Sequence, residues 1–155
     1  MDEREIGMEV VWSRLARETF AEVLQFIEEL FNRKVAQRVA NSIIEYTNLL
    51  GTFPHTGYVD DLLSTEETEV RLMNCRKSAI YYTIEDQTVI IVAIFDTRRN
   101  PAVIKEIIHS FLEENDNGYL KSLCLQCKKH KSRDLIKFVA DYKQFKNLKT
   151  YADAK

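Results

Sequence analysis

The apolar positions change period along the chain, and each change predicts an element. From Leu15 to Phe31 they recur at Leu15, Ala16, Phe20, Val23, Leu24, Ile27, Leu30 and Phe31, the 3.6-residue spacing of one helix face. Ser13 precedes that run as a cap. After the break Asn32-Arg33-Lys34, a second face carries Val35, Ala36, Val39, Ala40, Ile43, Tyr46, Thr47 and Leu50, with Gly51 predicted to end the helix and Pro54 beyond it. Two amphipathic helices on so short a link form an antiparallel hairpin. Met8–Trp12 ahead of them reads as a short strand.

The stretch from Thr52 to Glu69, with Pro54, Gly57 and five acids, reads as a surface loop. The pattern then becomes strand-like. Val70–Asn74 and Ser78–Glu85 are two runs, and Glu85-Asp86-Gln87 leads into Thr88–Phe95, almost continuously apolar or branched. A run of that kind tolerates water on neither side, so Thr88–Phe95 is predicted to be a central strand. Asn100 and Pro101 are a cap and a first helical residue, opening a helix with Ile104, Ile107, Ile108, Phe111 and Leu112 inward. Strand, helix hairpin, three strands and helix make an α+β domain, the hairpin packed on a curved and largely antiparallel sheet.

Charge adds a boundary. The net charge of −2 divides into −9 over residues 1–118 and +7 over residues 119–155, with turn chemistry at Asn115-Asp116-Asn117-Gly118. The expected organisation is a domain over 1–118 and a basic helical extension over 119–155, whose face would carry Leu135, Ile136, Val139, Tyr142 and Phe145. An acidic body repels polyanions, so nucleic acid would have to meet a local basic patch or this extension. The acidic N-terminus is not a secretory signal, no run is long enough to span a membrane, and three cysteines suit a reducing compartment; the expected location is the cytoplasm.

The candidate chemistry is sparse. Cys124, Cys127 and His130 fall short of the four ligands zinc takes, so neither metal nor cofactor is expected. Glycine-rich phosphate loops and standard hydrolase signatures are absent. What stands out is Phe95-Asp96-Thr97-Arg98-Arg99-Asn100-Pro101, which puts two guanidinium groups where the sheet stops and a helix starts. Their plainest use is pairing with Asp96 or Glu106 at the surface. Tyr81 and Tyr82 point to opposite sheet faces, so at least one belongs to the core.

The start Glu-Val-Val-Trp-Ser, the hairpin ending Leu-Leu-Gly-Thr-Phe-Pro and the strand exit Ile-Phe-Asp-Thr-Arg-Arg-Asn-Pro together resemble the RelE/ParE superfamily, the toxins of bacterial type II toxin–antitoxin pairs. The resemblance covers residues 8–112 and implies a growth-inhibiting toxin neutralised by a cognate antitoxin, with Arg98, Arg99, Tyr81 and Tyr82 as partner-facing candidates. It leaves two modes open. RelE-like members cut messenger RNA on the ribosome, and by that pattern Arg71 and Arg98 would stabilise the scissile phosphate. The usual arginine ahead of Tyr81 falls on Ser78, which leaves Arg76 or Lys77 to supply its charge; His109 is the acid–base candidate on the last helix. ParE-like members act on DNA gyrase and are not known as nucleases. Ser78 and the acidic body lean toward gyrase. A protein-binding module that kept the fold without toxicity is the reading from another class.

Overall fold

The computed structural model describes residues 7–114. The extension 119–155, its cysteines, histidine and apolar stripe, and the proposed boundary near Gly118 lie outside the described residues. Within them the order is β1 (Glu9–Trp12), α1 (Arg14–Leu30), α2 (Arg33–Thr52), β2 (Tyr58–Val59), β3 (Val70–Cys75), β4 (Ser78–Glu85), β5 (Thr88–Asp96) and α3 (Pro101–Glu114). The expected α+β architecture is present. The two-residue strand β2 lies inside the stretch read as loop, too short to leave a period in the sequence.

The strands form one sheet in the order β1-β5-β4-β3-β2. β1 runs parallel to β5 and the remaining pairs are antiparallel. β5 is paired on both edges and all nine of its residues are buried, as an uninterrupted apolar run requires. On one face the helix hairpin packs over Trp12, Ile80, Tyr82, Val89, Ile91 and Ile94; on the other, α3 and Leu63 cover Val70, Ala79, Tyr81, Ile90, Val92 and Phe95.

Ser13 caps α1 as expected, and Asn32, read as part of a break, caps α2. The Ser13 hydroxyl accepts from the Ala16 N–H and the Asn32 carboxamide from Val35. Asn100 Oδ1 accepts from Ala102 at the start of α3. Gly51, however, does not end α2; the helix continues through Thr52. The glycine answers a different need. A Cβ there would sit 2.6 Å from the Met8 carbonyl oxygen, because the chain entering β1 crosses the end of α2 and Met8 N donates to Gly51 O at 2.7 Å. The apolar stripes also overrun the core: Leu30, Phe31 and Tyr46 are exposed.

One irregularity fixes how the hairpin sits. Tyr81 pairs with Ala93 and Tyr82 with Ile91, so Val92 is an extra residue in β5. β1 stops opposite Ile91, and beyond it the head of α1 completes the edge of β5. Ser13 N donates to Ile91 O (3.0 Å), Ser13 Oγ donates to Val92 O (2.9 Å), and Thr19 Oγ1 accepts from Ile94 N (3.0 Å). Buried backbone groups that lose their strand partner need such substitutes.

Candidate functional site

β5 runs out at Asp96 and the chain turns before Pro101, so side chains of that turn stand at the sheet's end beside α1. Asp96 is nearly buried, its side chain 8% exposed, while that of Arg98 is 49% exposed. Arg98 donates to it three times: backbone N to Oδ1 at 2.8 Å, Nε to Oδ1 at 2.8 Å and Nη2 to Oδ2 at 2.7 Å. This is the two-pronged fork that arginine makes with a carboxylate. These hydrogen bonds hold the Asp96 carboxyl below its usual range and raise the Arg98 guanidinium above its own. The same guanidinium lies 5.5 Å from the centre of the Phe26 ring, and Arg99 lies 5.3 Å from that of Phe95.

The Asp96–Arg98 pair divides two grooves. One, of about 410 Å³, is lined by Thr19, Glu22, Val23 and Phe26 of α1 together with Phe95, Asp96, Arg98 and Arg99. The other, of about 290 Å³, lies between the hairpin and the β3–β4 turn, where Ile27, Phe31, Val35 and Val39 face Cys75, Arg76, Lys77 and Ser78. Asp96 and Arg98 line both. The result is an apolar floor with exposed Phe26 and Phe31 and with four cations, Arg76, Lys77, Arg98 and Arg99, at its sides. Arg76 stands at φ 59°, in the left-handed region that a two-residue hairpin turn demands.

The other candidates stand elsewhere. Arg71 is opposite Tyr82 in the sheet register, whereas Ser78 is opposite Asp96, and neither groove includes Arg71. Its side chain is 15% exposed and committed to the loop before it, with Nη1 on Gly57 O at 2.7 Å and Nε on Glu69 Oε1 at 3.1 Å. Arg98, Arg76 and Lys77 therefore line one groove together, and Arg71 lines neither of these two. Ser78 is buried. Both tyrosines are core residues. Tyr82 is fully buried; its hydroxyl donates to Pro54 O (2.8 Å) and accepts from Gly57 N (2.9 Å). Tyr81 packs edge-on against Phe95 on the opposite face. Burial raises both phenols above their ordinary range. His109 approaches Leu62 O at 3.2 Å on α3, across the sheet from the hairpin.

Periodicity missed Phe26, Glu22 and Asp96 as parts of this surface. Phe26 carried a readable signal, as an apolar residue off the buried stripe of α1. The pairing of Arg98 with Asp96 was readable from the sequence and is present; the near-burial of the carboxylate was not readable.

Among the described residues no group of side chains is arranged to hold a metal ion, and no helix is long and apolar enough to cross a membrane. No curated protein matches the chain. The sequence model of the family described as the ParE toxin of the type II toxin–antitoxin system parDE matches residues 10–101, from β1 through the Arg98–Arg99 turn to the first residue of α3. Spanning more than half of the chain and reaching all five strands, that match places the protein in the ParE toxin family of type II toxin–antitoxin systems.

Proposed function

We propose that this chain arrests growth by binding DNA gyrase, not by cutting messenger RNA, and that a co-expressed antitoxin holds it inactive by covering the face around Arg98. The observation that carries this reading is the dispersal of the groups that RNA cleavage would need gathered. Phosphoryl chemistry of that kind wants several preorganised cations and an acid–base group around one phosphate. Here Arg71 is committed to Gly57 and Glu69, Ser78 is a buried hydroxyl, both tyrosines are interior, and neither groove is lined by a histidine or a tyrosine. What remains around Arg98 is an apolar surface edged by cations, which suits the recognition of a protein with acidic and apolar side chains.

Induced expression in a bacterial host tests it. The expected outcome is growth arrest with a DNA-damage response and intact messenger RNA by primer extension. Codon-dependent cleavage of messages would overturn the gyrase reading, and unimpaired growth would overturn the toxin reading itself.

A further inference from the structure

We propose that Asp96 is a positioning residue that fixes the Arg98 guanidinium as a ridge between the two grooves and aims its remaining N–H groups at an acceptor oxygen of the bound gyrase. The inference rests on the reading of this face as the contact surface and adds what makes it specific.

A surface arginine paired with a carboxylate is ordinarily an inert neutralised pair. Three features set this pair apart. The carboxylate is nearly buried while the guanidinium is half exposed, so Asp96 is part of the scaffold and Arg98 is what a partner meets. The fork uses Nε and one proton of Nη2, so of the five guanidinium N–H groups three point away from Asp96, with no acceptor among the described residues. Phe26 lies against the guanidinium that Asp96 grips, so the head of the long side chain is held from two sides and loses little rotamer freedom when a partner binds. The neighbouring charges keep the ridge attractive to an anion: Arg99, Arg76 and Lys77 outnumber Glu22 among the groove-lining residues besides the pair. An apolar side chain on either side of the partner's acceptor would enter one groove each.

The lock has a spectroscopic signature in the isolated protein. At neutral pH the Arg98 Nε–H resonance should lie well away from the position of a free arginine. It should return toward that position only as pH falls through the lowered Asp96 pKa, below the ordinary carboxylate value of about 3.9. In Asp96→Asn, whose one carbonyl oxygen can still accept from Nε but carries no charge, it should lie closer to the free position and no longer move with pH in this range, while β5 amide exchange stays as in the wild type. A free-arginine resonance in the wild type at neutral pH overturns the proposal, whether or not the protein is a toxin. In cells, Asp96→Asn should raise the expression needed for growth arrest by about tenfold, the worth of one charge-assisted hydrogen bond. The double variant with Arg98→Ala should be no weaker than Arg98→Ala alone, since both act through one group. Arrest by Asp96→Asn at the wild-type dose overturns the positioning role. Arrest by Arg98→Ala at the wild-type dose instead removes Arg98 from the contact surface.

Discussion

Tyr82 shows how far a residue's role depends on what its polar tip finds. As one of two adjacent tyrosines in a strand it could have been a surface ring or a buried one. Its hydroxyl accepts from Gly57 N and donates to Pro54 O, fastening the segment between α2 and β2 to the sheet. Gly57 is glycine for the same reason: a Cβ there would lie 2.7 Å from that hydroxyl and 2.8 Å from Leu72 O. Tyr82→Phe should therefore lower stability by about 2 kcal/mol, because it strands a buried donor and an acceptor together. A urea titration would show this as an earlier midpoint with an unchanged slope, and an unchanged midpoint would mean that water replaces the hydroxyl. Alternation in β4 told that the two tyrosines part to opposite faces. It did not tell that both faces are covered, since that depends on α3 and on a loop far away in sequence.

Elements were legible where a period ran long enough. The ranges of both hairpin helices, β4 and β5 follow from apolar spacing and capping residues within two or three positions of those observed. The errors come from contacts between elements. Gly51 reads as a helix stop, but its lack of a side chain serves the passage of Met8 across α2. Replacing an interior helical glycine by alanine ordinarily stabilises by about 1 kcal/mol. Gly51→Ala should do the reverse and destabilise by about 2 kcal/mol, because the new methyl meets backbone that cannot swing aside. Thermal unfolding of the purified variant would decide it, and a raised midpoint would mean that the entry to β1 is free to shift. Likewise Leu30 and Phe31 at the end of α1 looked like core and are surface.

For the molecule as a whole, the two arginines that the resemblance would place in one catalytic group stand at different places on the sheet. The sheet puts Arg71 level with Tyr82 and Arg98 beyond Asp96. Arg71→Ala should cost stability, about 1–3 kcal/mol for its part-buried bond to Gly57 O, and leave growth arrest intact at equal levels of folded protein. Arg98→Ala should lower stability, because it leaves the nearly buried Asp96 carboxylate without its side-chain partner, and should also remove most of the arrest per folded molecule. Paired measurements of unfolding and of arrest per folded molecule separate the two. Equal loss of arrest in both would restore the case for a shared phosphate site. The strand exit itself was readable from Phe95 to Pro101, but its partners were not, because they come from α1, α2 and the β3–β4 turn.

The extra residue in β5 reaches further than its own strand. Thr19 is pinned to Ile94 just past Val92, and from that peg two rulers run outward. Along α1, two helical turns lead to Phe26; along β5 and its exit, a short run leads to Arg98. Ring and guanidinium meet because both distances are counted from one origin. A single residue inserted between Thr19 and Phe26 would swing the ring about 100° around the helix axis and dismantle the contact face without touching any charge upon it.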